Sequence, residues 1–132
     1  MSRWAAAAVA LAWLALAGCG GSSGDILGLG VSGGPMPARE RMHVTEDGRG
    51  GCNAGKLRAL QSSLLLDARS LVRDAKPLTS RGASFGEPTP GRRSFELRTP
   101  NGTVTWVEGA PGTPPVLARA EELALRLERA LC

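Results

Sequence analysis

The chain has 132 residues, 16 lysines and arginines against 12 acids, a net charge of +4, one histidine, three cysteines and no tyrosine. That length suits one domain and leaves too little chain for two. The basic excess is mild and scattered among acids, without the cationic stripe and stacking rings that nucleic acid requires, so nucleic acid is excluded as a partner. A single histidine, with no Cys-x-x-Cys or His-x-x-x-His spacing, excludes a metal site, and no cofactor is expected.

From Trp4 to Ala17 run 14 consecutive apolar residues, preceded by Arg3 and closing on Leu16-Ala17-Gly18-Cys19. A cationic start, an apolar stretch and small residues before a cut make a secretory signal peptide. A membrane span is the competing reading, but it needs roughly 20 strongly apolar residues, and this run is short for that. An ordinary signal peptide is a third reading, but it gives no role to a cysteine directly after the cut. With that cysteine, the segment closely resembles the lipobox of bacterial lipoproteins. The resemblance implies a diacylglyceryl group on the Cys19 sulfur, cleavage after Gly18, a fatty acyl chain such as palmitate on the new amino group, and the membrane as a partner through the lipid. Several chains on one residue anchor firmly, at about 0.8 kcal/mol per buried CH₂. Gly20 rather than Asp follows the cysteine, which by analogy with diderm lipoproteins implies the outer membrane. Residues 1–18 are therefore expected to be signal peptide, 19–25 the lipidated cysteine and a flexible tether, and 26–132 a single small domain.

Two thiols remain, Cys52 and Cys132. In an oxidising compartment a lone pair of cysteines bridges, and closing this long loop would stabilise the fold by about 4 kcal/mol. Two free thiols are the alternative.

The tether Gly-Gly-Ser-Ser-Gly (20–24) reaches about 12 Å root-mean-square as a Gly-rich chain. Ile26-Leu27-Gly28-Leu29-Gly30-Val31 reads as a first strand, weakened by its glycines, and Ser32-Gly33-Gly34-Pro35 breaks it. Arg41 to Thr45 alternates as a second strand, with Met42 and Val44 on one face and Arg41 and His43 on the other; Asp47-Gly48 is a turn. Asn53 is placed to cap a helix from about Lys56, on which Leu57, Leu60, Leu64, Ala68 and Leu71 form one apolar stripe, and Pro77 stops it. Thr79 to Arg92 reads as a loop. Ser94 to Val107 is a hairpin around Thr99-Pro100-Asn101-Gly102. A two-residue Asn-Gly loop sets Leu97 opposite Trp106, and a three-residue loop sets it opposite Thr105. The first is slightly favoured because it gathers Phe95, Leu97, Val104 and Trp106 on one face. Thr113 is then expected to cap a last helix starting with Pro114 and Pro115, with Val116, Ala120, Leu123, Ala124, Leu127 and Leu131 buried and Glu122 paired to Arg126. The fold class is α+β, with helices on a small antiparallel sheet in the order ββαββα.

Chemistry is sparse. His43 lacks a Gly-x-Ser-x-Gly partner and sits on the outward side of its strand. Asp67 and Asp74 stand among Arg69, Arg73 and Lys76 as a solvated charged face, and a free Cys52 or Cys132 would have no base. An enzyme is not expected, and a hydrolase built on His43 is the least favoured class. The Ser32-Gly33-Gly34-Pro35-Met36-Pro37 segment is either a tight turn, the simpler reading, or a binding loop. Its glycines would admit a partner's backbone and its prolines lower the ordering cost. Ser32, Gly33 and Gly34, then Val44 and Asp47-Gly48, then Leu57, Leu60 and Leu64 follow an order, across Ile26 to Leu131, that resembles emfourin-type inhibitors of thermolysin-like metalloproteases. That family usually continues Gly-Gly with an aromatic and a small residue; here Pro35-Met36-Pro37 follows. The resemblance implies a non-catalytic domain whose Gly-Gly loop occludes a metalloprotease cleft; the binding-loop reading takes Ser32, Gly33, Gly34 and Pro35 as its contact residues. A structural or interaction role with another envelope protein assumes less and ranks first.

Overall fold

A computed structural model describes residues 24–35 and 39–132. The lipobox, Cys19 and the residues up to Ser23 lie outside the described residues, as do Met36 and Pro37. Strands β1 (Asp25–Gly33), β2 (Glu40–Thr45), β3 (Arg49–Cys52), β4 (Arg58–Ala59), β5 (Ser84–Phe85), β6 (Arg93–Thr99) and β7 (Gly102–Val107) accompany helices α1 (Ser62–Asp74), α2 (Lys76–Ser80) and α3 (Pro115–Leu131). They form one sheet in the order β4-β3-β2-β1-β6-β7-β5. All pairs are antiparallel except β5 with β7. The class is α+β. The expected ββαββα order is the frame that remains when the short β3, β4, α2 and β5 are set aside.

Strand periodicity explains the core. Leu27 and Leu29 on β1, Met42 and Val44 on β2, Phe95 and Leu97 on β6, and Val104 and Trp106 on β7 are all buried on one face. Phe95 and Trp106 are cross-strand partners whose rings stack with centroids 5.3 Å apart. Leu64, Ala68 and Leu71 of α1 and Leu117, Ala120, Leu123, Ala124, Leu127 and Leu131 of α3 close over that face. Each fully buried large aliphatic side chain contributes roughly 1.5–3 kcal/mol by leaving water. Among the described residues all three helices contribute to that core, and none covers the sheet's opposite face.

Several local expectations are corrected. Asn53 caps no helix. It ends β3 at φ 53°, its backbone N–H bonds to the Arg41 carbonyl at 2.7 Å, and its Oδ1 accepts from the Arg41 N–H at 3.1 Å. Asn is among the few side chains that tolerate this left-handed geometry. Leu57 and Leu60 therefore precede α1, whose N-cap is Gln61. Strand β3 escaped detection because Arg49-Gly50-Gly51-Cys52 has no apolar alternation. Its glycines answer to close neighbours instead. A Cβ on Gly50 would come 2.9 Å from Leu131 Cδ1, and one on Gly51 would come 2.6 Å from His43 Cε1.

Pro77 ends α1 as expected, yet sits in the first turn of α2, where its missing N–H costs nothing. The stretch from Thr79 to Arg92 is therefore not wholly a loop. It holds the end of α2 and β5, whose Ser84 and Phe85 lie beside Thr105 and Trp106. The hairpin takes neither expected register: Thr99 faces Gly102, Leu97 faces Val104, and the loop is Pro100-Asn101. Proline favours the first of the two central turn positions, and that requirement overrides the Asn-Gly signal. The four apolar residues still share one face, because the register moved by an even step. Thr113 bonds back to the Ala110 carbonyl at 2.7 Å, and Pro114 is the N-cap of α3. Leu117 is fully buried and Val116 half-buried on that helix. Arg126 pairs with Asp67 across the helix interface, where Glu122 had been expected as its partner.

Candidate functional site

Three features bear on function: the bridge, the turn after β1, and the open face of the sheet. Cys52 and Cys132 form a disulfide, with Cα atoms 5.4 Å apart and 80 residues between them in sequence. It fastens the end of α3 to the end of β3.

The turn after β1 begins where Ser32 and Gly33 pair with Ser94 and Arg93 of β6. Gly33 and Gly34 adopt φ 79° and 75°. A Cβ on Gly33 would lie 2.7 Å from the Arg92 carbonyl oxygen, and one on Gly34 would lie 2.9 Å from Arg93 Cγ. Both glycines are thus required by the way the chain leaves β1 against β6, as in a tight turn. Pro35 beyond them is exposed. Asp25, where the tether enters, and Gly33 lie at opposite ends of β1, about 26 Å apart at the usual rise per strand residue.

The open face of the sheet was not singled out from the sequence. Gly28 and Gly30 lie on the outward side of β1, the middle strand, with Arg41 and His43 on β2 along one side and Glu96 and Arg98 on β6 along the other. They bound a groove of about 410 Å³. A second groove, of about 290 Å³, shares Gly30, Arg41 and Glu96 with the first and runs on past Ser94 and Thr105. Arg98 is bound to Glu96 through Nε and Nη2, each at 2.8 Å. His43 lies over Gly51. The overlooked signal was the Gly-Leu alternation of β1, in which the small residues fall on the polar face.

Several charged residues away from the open face pair with one another. Arg119 reaches the Asp74 Oδ2 at 2.8 Å and the Ser70 hydroxyl at 3.0 Å. This bond from Arg119, aided by Arg73, holds the Asp74 carboxyl below its usual range. Asp47 is lowered mainly by the hydrogen bond from the Thr45 hydroxyl, with Arg49 assisting at 2.9 Å. Glu40 is raised, first by desolvation and then by the nearby Glu128 carboxylate. Among the described residues no group of three histidine, cysteine or acidic side chains is placed to hold a metal ion, and no helix is long and apolar enough to cross a membrane. No protein-family model and no curated protein matches this sequence.

Proposed function

We propose that this protein is an exported lipoprotein, held by lipid on Cys19 at the outer membrane of a diderm bacterium, whose domain has a non-catalytic structural or interaction role in the envelope. One observation carries the reading. Of three cysteines, two form a bridge suited to an oxidising compartment, and the third stands directly after Leu-Ala-Gly. The geometry of β1 supports it, because Asp25, next to the expected tether, stands at one end of the strand and the Ser32–Pro35 turn follows its other end. The test is expression of the full chain with a C-terminal tag in a diderm host, followed by membrane fractionation and cross-linking. Wild type should sediment with membranes and recover envelope proteins, and Cys19→Ala should lose both. A chain that stays in the soluble fraction and captures nothing contradicts the reading.

A second reading, an inhibitor of thermolysin-like metalloproteases, is favoured by the fixed turn with exposed Pro35. Protease rates should then fall at micromolar domain, and Pro35→Arg should restore them. This is a fairer variant than a change at Gly33 or Gly34, which would strain the fold itself. Unaltered rates with wild type end this alternative.

A further inference from the structure

Arg41 and Glu96 stand on either side of Gly30 at the same height of the open face, because Gly30 is the cross-strand partner of both. They have opposite charge and lie two strand spacings apart, about 10 Å. No ion pair joins them. Glu96 is bound to Arg98, and Arg41 makes no ion pair among the described residues, which include every aspartate and glutamate of the chain. Across the whole face, Asp25, Glu87 and Glu96 line the grooves against Arg39, Arg41 and Arg98. Three acids against three bases leave no net charge, so the face selects no ligand of one sign. What it matches is itself. A half-turn about an axis parallel to β1 and above Gly30 carries β2 over β6, which sets each copy's Arg41 over the other's Glu96. The same half-turn sets His43, which flanks Gly28 on one side, over Arg98, which flanks it on the other. A neutral imidazole accepts a guanidinium N–H there. A half-turn about an axis across the strands stacks β2 on β2 and Arg41 on Arg41, which repel.

Two further observations agree with the parallel axis. It leaves Asp25 of both copies at one end of the pair, so both chains can enter one membrane, whereas the crossed axis puts them at opposite ends. This argument rests on the lipoprotein reading; the charge argument does not. The second observation is the floor between the charged rows. A Cβ on Gly28 would find nothing nearer than Arg98 Cβ at 3.8 Å, and on Gly30 nothing nearer than Glu96 Cβ at 3.6 Å. Neither residue has a positive φ. Glycine within a strand costs roughly 0.5–1 kcal/mol relative to alanine, so the middle strand is weakened twice with no gain in folding. Bare middle strands do leave room between two stacked sheets for the crossing Arg41 and Glu96 side chains. We propose that the open face is the interface of a homodimer, in which two copies stack their sheets about an axis parallel to β1 with reciprocal Arg41–Glu96 ion pairs over Gly30. Strands β2, β1, β6 and β7 present a face about 19 Å across and 20 Å along, roughly 400 Å² of flat area per copy. That is at the small end for a specific interface, so the pair is weak when free and reinforced when both copies share a membrane.

The experiment is sedimentation equilibrium of the full chain in density-matched detergent across the micromolar range. Wild type should show a reversible monomer–dimer equilibrium. Arg41→Glu and Glu96→Arg should each weaken it about tenfold or more, because a symmetric interface meets each change twice. The two changes combined should restore most of the association, which no merely structural damage would do. Gly30→Val should weaken association while melting no lower than wild type, and Arg41→Gln gives a gentler loss of the pair. Pro35→Arg should change nothing. All variants keep Cys19, so any sharing of micelles is common to them. A wild type that is monomeric throughout, association indifferent to the single charge reversals, or no recovery in the combined variant overturns the proposal. Mass spectrometry of the same samples separates the two readings. A dimer without fatty groups on Cys19 keeps this inference and removes the proposed anchoring, and a lipid-bearing monomer does the reverse.

Discussion

Cys132, the last residue after α3, is bonded to Cys52 at the end of β3, so the strand on one side of the sheet and the final helix are one covalent unit. The bridge removes conformations from the unfolded chain, and 80 residues of separation make the effect large, about 4 kcal/mol in the chain-entropy picture. Reduction, or the double change Cys52→Ala with Cys132→Ala, should lower unfolding free energy by about 3–4 kcal/mol. Urea titration with and without reductant measures it; a loss near zero would mean that the helix end holds itself.

Gly102 meets the end of α2. At φ 140° its missing Cβ would stand 2.2 Å from the Thr79 carbonyl oxygen. Gly102→Ala should therefore cost at least about 3 kcal/mol, since both backbone geometry and packing are violated, while Gly28→Ala should cost nothing or stabilise. Thermal unfolding of the two variants side by side distinguishes a demanded glycine from a permitted one.

Trp106 donates its indole N–H to Glu121 at 2.8 Å across the sheet–helix interface. Glu121→Ala leaves a buried donor unpaired and should cost about 1–3 kcal/mol, whereas Glu121→Gln keeps an acceptor and should cost less. Denaturant unfolding of the two variants, followed by tryptophan emission, gives both values.

Stability should respond to acid in two senses. Glu40 is raised in the folded protein, so its share of stability is present below the unfolded value and is lost as pH climbs through the folded one. Asp47 and Asp74 are lowered, so theirs is present above the unfolded value and is lost as pH falls through the folded ones. Acidifying from neutral should first leave the melting temperature level or slightly higher, then depress it below about pH 4. Glu40→Gln should remove the first effect only. Scanning calorimetry across this range checks the order.

The sequence discloses elements whose periodicity arises within the element. The Met42–Val44 alternation, the Leu64–Ala68–Leu71 stripe and the long apolar face of α3 are of this kind. Residues chosen by neighbours distant in sequence were hidden. Gly50 and Gly51 look like loop glycines until Leu131 and His43 are set against them, and Ser84-Phe85 becomes a strand only because Thr105 and Trp106 lie alongside. Two salt bridges show the same limit. Asp67 and Asp74 pair with Arg126 and Arg119, each one heptad from the next on antiparallel helices, and no reading of either helix alone gives that register. The bridging cysteines were legible from counting thiols; the groove was not, because a glycine's lack of internal purpose is visible only in space.

The most direct measurement is intact-mass and peptide mass spectrometry of the protein purified from the membranes of a diderm host without reductant. A chain beginning at Cys19, heavier by a diacylglyceryl and an amide-linked acyl group and lighter by two hydrogens for Cys52–Cys132, is the expected result. A chain that retains residues 1–18, or begins elsewhere with no fatty group on Cys19, contradicts the anchoring on which the proposed role depends.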